Sequence, residues 1–449
     1  LFSKTTFCAL PWSSIQINPS GNFKICCFSG NKDSNGIDNH GIGKDADGNV
    51  MNIMTHSIED ALNSDLHKEL RLAQSRNERH SVCDVCWKRE DANYREIADG
   101  ATINPNKQNI SHRITRTFFH LADQKDAITM EQAPNRMALD GSIDSFPVML
   151  DIRFSNLCNA KCIQCEPQYS TLWYNDHMEL TGSDTFNVGP KQYKITKENN
   201  RLTTNMVRWH DTPEWWNQFE RIKHKLKHIY ITGGEPFVQP SHDEMLDRLI
   251  AANLAEDVII EYDTNLTVIN EKILNRLSKF KKIRFSVSVD DIERRYELIR
   301  YPSSWKRLLE NLKMVKTIVP TENVRISMCV GIFDVYAPIR VVSFFSDLGY
   351  TTFPIRLLRS PACYDLAYLP KEVQLHILEE YNKSDLDNRY KMTTVGYIKN
   401  NLDTHVLETR LSVINSFKQR MDTLDRLRGT DWRETFPEVN EMLTPYFRK

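Results

Sequence analysis

The stretch VMLDIRFSNLCNAKCIQC, Val148 to Cys165, decides the reading of this chain. Its first half alternates as a β-strand does. Its second half spaces three cysteines at i, i+4 and i+7: Cys158, Cys162 and Cys165. A strand running into a loop of thiols puts candidate ligands at a strand's C-terminal end, the end that carries chemistry in parallel α/β folds. Three thiolates on one short loop suit a cubane iron–sulfur cluster with one iron left open, where four thiolates are usual. A zinc site completed by a histidine from elsewhere suits the same spacing.

The rhythm set by this stretch continues downstream. HIYITGG (228–234), VIIEYDTN (258–265), IRFSVSVD (283–290), VRISMCVGI (324–332) and FPIRLL (353–358) are apolar, β-branched runs. Helical patterns lie between them: HDEMLDRLIAANLA, INEKILNRLSKF, SWKRLLENLKMVKTI and APIRVVSFFSDLG. Strand and helix in alternation predict βαβ units and a parallel sheet. Six strands fall short of the eight of a closed barrel, so the fold class is α/β, an open sheet or a partial (β/α)6 barrel. Beyond Pro370, KEVQLHILEEYNK and VLETRLSVINSFKQRMDTLDRLRG carry apolar residues at helical spacing and predict a helical extension packed on the barrel. The organisation reads as a cysteine-bearing region 1–110, a connector 111–146, the barrel 147–365 with an insert at about 168–222, and the extension 366–449. Within these, 30–50 reads as loop and FFHLADQ (118–124) as a short strand or helix.

Composition narrows the function. Lysine plus arginine number 58 against 59 for aspartate plus glutamate, a balance that argues against a protein built to grip nucleic-acid backbone. No apolar run reaches the length of a membrane-spanning helix. The opening LFSKTTFCALPW lacks the pattern of a secretory signal. Eight of the ten cysteines lie in tight groups, which in a non-secreted chain favours metal ligation over disulfides. The expectation is a cytoplasmic protein with neither membrane nor nucleic-acid partners.

The second cysteine group is N-terminal: Cys8, the pair Cys26–Cys27, and Cys83-x-x-Cys86. INPSGNFKICC reads as a hairpin that brings its cysteines toward Cys8. Neighbouring strand residues face opposite ways, so Cys26 or Cys27 ligates, not both. Four thiolates from a hairpin and a CxxC make an ordinary zinc ribbon.

One more motif bears on the choice of metal. The second barrel strand ends in ITGGEP, with Gly233, Gly234, Glu235 and Pro236, and paired glycines there permit close backbone approach. CxxxCxxC after the first strand, GGEP after the second and a partial barrel together resemble the radical S-adenosylmethionine (radical SAM) superfamily, over roughly 148–360. The resemblance implies a [4Fe–4S] cluster on Cys158, Cys162 and Cys165, with S-adenosylmethionine on the fourth iron. It implies reductive cleavage to a 5′-deoxyadenosyl radical that abstracts hydrogen from a substrate. It also implies cofactor contacts from Gly233, Gly234, Glu235, Pro236, Asn265, Ser288, Asp290 and Arg300. Beside such a barrel the N-terminal set resembles a SPASM or twitch auxiliary domain. Cys8, Cys26, Cys83 and Cys86 would then hold a second [4Fe–4S] cluster, with Cys27 as the alternative to Cys26 and zinc as the alternative metal. That domain usually follows the barrel and here precedes it.

The implied partners are S-adenosylmethionine, a reductant such as flavodoxin or ferredoxin, and a peptide, protein or small-metabolite substrate. No separate leader-peptide-binding domain is evident. The competing reading is a non-catalytic interaction protein with two zinc sites. Two features depart from the family pattern. Gln164 stands where an aromatic residue often precedes the last cluster cysteine, and the insert carries Trp173, Tyr174, Trp215 and Trp216. Those aromatics are expected to pack the insert rather than line a cavity. Cys329, and Cys363 on a loop with Arg359, Tyr364 and Asp365, are candidate hydrogen donors to a substrate radical.

Overall fold

The computed structural model describes residues 6–30, 41–87, 130, 132–189 and 191–447. The expected 118–124 element, most of the connector and part of the 30–50 loop lie outside the described residues.

Among the described residues, eleven strands form two sheets. They are β1 (Ser14–Ile17), β2 (Phe23–Lys24), β3 (Met149–Ile152), β4 (Thr185–Val188), β5 (Lys191–Glu198), β6 (Arg201–Thr204), β7 (His228–Ile231), β8 (Ile259–Thr264), β9 (Lys282–Ser288), β10 (Val324–Val330) and β11 (Ile355–Leu357). The main sheet runs β11-β10-β9-β8-β7-β3-β1-β2. The six strands expected from the sequence are β3 and β7 to β11, all parallel. The sheet is mixed at its far edge. The N-terminal hairpin adds β1 in parallel to β3, with Gln16 opposite Asp151, and β2 antiparallel to β1. The cysteine-bearing region thus continues the barrel wall.

Register gives the sheet two different faces. One row across the strands reads Ile17, Ile152, Ile231, Tyr262, Phe285 and Val324; another reads Ile15, Leu150, Ile229, Ile260 and Ile283. All are buried against helices such as Pro240–Ala251, Trp305–Val315 and Ala337–Asp347. The row of opposite parity reads Lys24, Gln16, Asp151, Tyr230, Glu261 and Arg284. This polar face is concave. Arg325 on β10 reaches Glu261 on β8 at 2.6 Å, and Arg356 on β11 lies 3.8 Å from Asp263 on β8, three places away in the sheet.

The insert is helix Trp173–Thr181, the antiparallel sheet β4-β5-β6, and helix Pro213–Ile222. Its aromatics pack, as the composition of cores predicts. Trp173 and Trp215 join the main core, Tyr174 packs with Phe186 and Tyr193, and Trp216 lies at the core's edge. The C-terminal helices Lys371–Lys383, Asn388–Asn401 and Leu407–Arg428 close over the barrel.

Asp176, in the insert helix, has no exposed side-chain surface. It accepts hydrogen bonds from Lys161 Nζ and from Arg428 Nε, each at 2.9 Å. One carboxylate thus joins the cysteine loop, the insert and the last long helix. Removing the partner of a buried charge costs roughly 3–5 kcal/mol. Asp176→Asn is therefore expected to lower unfolding stability by about that amount, read as a shift of the denaturant midpoint at unchanged slope.

Candidate active site

The loop after β3 has no regular structure, so its backbone groups are satisfied from outside. Lys161 N donates to Tyr301 O at 2.7 Å and Ile163 N to Ile299 O at 2.8 Å. Trp173 Nε1 donates to Cys162 O at 2.9 Å. Asn156 Nδ2 donates to Pro167 O and to Tyr174 Oη, both at 2.8 Å. The insert aromatics, expected only to pack, also brace the loop that carries the cysteines. Trp173, a few residues beyond the last cysteine, was the available signal. Arg428, whose guanidinium lies over the Trp173 ring at 5.1 Å, had none in the sequence.

The GGEP turn clasps the same loop. Glu235 N donates to Leu157 O at 2.9 Å, and Gln239 Nε2 to the same oxygen at 2.8 Å. A Cβ on Gly234 would stand 2.2 Å from Leu157 O, and Gly234 has φ +54°. A Cβ on Gly233 would stand 2.7 Å from Arg153 Cβ. Both glycines therefore answer to close approach. Pro236 is buried at the start of the turn Pro236–Val238.

The Glu235 carboxylate points into the sheet. It accepts from Thr264 Oγ1 at 2.6 Å, Asn265 N at 2.8 Å and Phe237 N at 3.4 Å. Burial pushes its pKa up to about 7 against those hydrogen bonds. Asn265 is likewise engaged: its Nδ2 donates to Asn159 Oδ1 at 2.9 Å, and its Oδ1 accepts from Thr267. Both side chains tie β8 to the turn and the cysteine loop, which leaves the turn's backbone to face the site.

Asp290, at φ +62° just beyond β9, gathers the rest. It takes Arg300 Nη2 at 2.6 Å, Gln164 Nε2 at 2.5 Å and the Cys329 amide at 2.7 Å. Gln164, the departure from the family pattern, is thus bonded to the β9 end. Arg300 Nη1 also lies 3.7 Å from Cys162 Sγ. Gln164 Oε1 and Arg300 Nε are buried without partners among the described residues. Ser288 ends β9 half-buried.

Burial raises the pKa of all three thiols of the loop, Cys158 to about 12. Among the described residues, no three His, Cys, Asp or Glu side chains converge as ligands of one metal ion. The loop nonetheless fits a cluster with one coordinated small molecule. It offers three soft donors beside two guanidiniums, Arg300 and Arg428, and the orphaned polar atoms give a ligand something to bind.

In the N-terminal region, Cys8 and Cys26 pack together against Met149 and Tyr230. Burial raises the Cys26 thiol, and the nearby Cys27, Cys8 and Cys86 raise it further. Cys83 lies on the turn Ser81–Cys83 against Ile25. Cys27 acts electrostatically on Arg153 and Arg356 of the concave face. Cys329 shares that face, opposite Arg356 in register, and burial pushes its thiol up to about 12. Cys363 sits on the turn Ala362–Tyr364 beside Arg420. Its loop is tied to the C-terminal helices: Arg359 lies over the Tyr397 ring, and Tyr397 Oη donates to Asp365 Oδ1 at 2.7 Å.

Among the described residues, no helix is long and apolar enough to cross a membrane. No curated protein matches the chain. Solved structures similar to it include native anSMEcpe with bound AdoMet, at 16% identity over 57% of this chain and 63% of that one, TM-score 0.37. Streptococcus suis SuiB is 16% identical over 72% of this chain and 63% of its own, TM-score 0.33. The radical S-adenosylmethionine methyltransferase TsrM from Kitasatospora setae is 12% identical over 46% and 35%, TM-score 0.30. The chain spans less than two thirds of the length of each. Family models are more specific. Residues 152–335 match the radical SAM superfamily, and residues 8–87 match SPASM, an iron–sulfur cluster-binding domain. The radical SAM match implies a [4Fe–4S] cluster with S-adenosylmethionine, and the SPASM match favours iron–sulfur over zinc in the N-terminal set. Residues 152–335 are thus a region of the radical SAM superfamily type, with the SPASM match preceding it in sequence.

Proposed function

We propose that this chain is an enzyme in which Cys158, Cys162 and Cys165 hold the [4Fe–4S] cluster that binds S-adenosylmethionine. When bound, that pair supplies the one-electron cleavage that removes hydrogen from a peptide, protein or small-metabolite substrate. The carrying observation is the meeting of the cysteine loop with the glycine turn, Glu235 N on Leu157 O at 2.9 Å. It sets the turn's backbone beside the first cysteine, where a ligand's amino group can be received. The chain's residues orient and shield. Trp173 and the carbonyls of Ile299 and Tyr301 hold the loop's backbone. Arg300, anchored on Asp290, keeps a positive charge at Cys162 that offsets the charge of ligating thiolates.

In the auxiliary set, the packing of Cys26 with Cys8 and its proximity to Cys86 support Cys26 as the ligand, together with Cys8, Cys83 and Cys86. Cys27 is then left toward the barrel. A reductant of the flavodoxin or ferredoxin class and a cytoplasmic setting complete the reading. Cys329, on the concave face, is better placed than Cys363 to meet a substrate held there.

Iron and acid-labile sulfide per chain, on anaerobically prepared protein, test the assignment. The wild type is expected to carry about eight irons, and the Cys158→Ala/Cys162→Ala/Cys165→Ala variant about four. Zinc without iron in the wild type would overturn the reading. Cys26→Ala is expected to lose the auxiliary irons, while Cys27→Ala keeps them. Gly234→Ala forces a Cβ against Leu157 O. It is expected to lose most of the iron of the 158–165 loop and retain the auxiliary iron, as two distinct cluster signals in electron paramagnetic resonance will report.

A further inference from the structure

The concave face of the sheet holds charges that the cofactor site does not use. Arg153, just past β3, shares a face with Asp151 and Gln16. Gly233 makes room for the stem of Arg153, and Arg153 Nε finds no partner among the described residues. Arg356 enters from β11, at the opposite side of the barrel wall, with 58% of its side chain exposed. Its nearest carboxylate, Asp263, is 3.8 Å away and already accepts Tyr230 Oη at 2.5 Å. Tyr230 lies between the two: it donates to Asp263 beside Arg356 on one side, and on the other it is the register partner of Asp151, two residues before Arg153. Beneath them Gln16 is 1% exposed, with both amide atoms unpartnered among the described residues. Across these rows Lys24, Arg153, Arg284, Arg325 and Arg356 outnumber Asp151, Glu261 and Asp263.

We propose that Arg153 and Arg356 form an anion clamp on the concave face, taking a carboxylate or phosphate group of the substrate, with Gln16 as an additional hydrogen-bonding group below it. A guanidinium with open N–H donors suits such planar or tetrahedral oxyanions better than any other side chain. The clamp lies between the two cysteine sets. Cys329 is the register neighbour of Arg356, its amide is bonded to Asp290, and Asp290 holds Arg300 beside Cys162. Cys27, from the auxiliary region, acts electrostatically on both arginines. A substrate anchored there has its remaining atoms directed toward the cofactor end of the strands. The inference rests on the function proposed above and adds the chemical class of the substrate: it is anionic.

The test uses the full chain with reconstituted iron and excess S-adenosylmethionine, so that the cofactor's own carboxylate is not what is measured. Inorganic phosphate and glutarate are titrated by calorimetry into wild type, Arg153→Gln, Arg356→Gln and the control Arg389→Gln, whose side chain is exposed and paired with Asp387. Iron per chain is measured on every sample. The wild type is expected to bind at least one probe. Each clamp variant is expected to weaken it tenfold or more at unchanged iron, and the control to match wild type. Tighter glutarate assigns a carboxylate, and tighter phosphate a phosphorylated substrate. Failure of the wild type to bind either probe, or equal binding by all variants with iron retained, overturns the clamp and leaves the proposed function standing. Loss of iron in the clamp variants overturns it as well, because the arginines would then belong to the cluster's scaffold. A wild type that takes up no iron fails the proposed function instead.

Discussion

Three thiols must be held in fixed relation by a loop with no ladder of its own, and the rest of the molecule is arranged around that constraint. A loop's backbone donors and acceptors need partners as a helix's do. Here they come from the glycine turn after β7, the carbonyls at 299 and 301 and the insert's Trp173, while the loop's own Asn156 and Asn159 side chains bond to Tyr174 and to Asn265 and Thr267. Each of these segments is itself anchored in the sheet or the core. The loop inherits rigidity from its surroundings, as preorganised sites generally do.

Buried charge follows the same plan. Asp176 and Asp290 are fully buried carboxylates on either side of the loop, and each is matched by arginine from a distant segment. Arg428 comes from the end of a long C-terminal helix and Arg300 from the loop after a short one. Pairs of this kind add little net stability and much specificity of arrangement, because a shifted segment would strand a charge in the interior. That gives the C-terminal helices a part in placing the cysteines, beyond covering the barrel.

What was legible in the sequence was local. The six strands announced themselves by β-branched alternation, and the cysteines and glycines by spacing. Two features were not legible for the same reason. The place of β1 beside β3 depends on a long-range pairing, Gln16 with Asp151, and a four-residue strand gives no hint of its partner. The antiparallel sheet of the insert was hidden by short strands rich in Lys, Thr and Asn, whose apolar residues, Phe186, Val188, Tyr193 and Ile195, form a small core of their own. Gln164 was visible as an oddity, but its bond to Asp290 joins residues 126 positions apart, and only the fold brings them together.

The concave face is where the chain departs furthest from what a sheet of this kind would do for stability alone. Parallel strands covered on both sides usually read as near-continuous apolar runs, and barrel interiors are filled with branched aliphatic side chains. This sheet keeps that rule on its helix-facing rows and breaks it on the other. There Gln16, Asp151, Arg153, Tyr230, Glu261, Asp263 and Arg284 replace the expected valines and leucines. Partial pairings such as Arg325 with Glu261 limit the cost of burying them. They do not remove it, since a buried amide with two unpartnered atoms costs about 1–3 kcal/mol for each lost group. A fold tolerates such a liability where a polar ligand completes it. The same rows lead from the auxiliary cysteines at one side to Cys329 and Asp290 at the other. On the function proposed above, this polar interior is what receives the substrate, with the sheet itself as its walls.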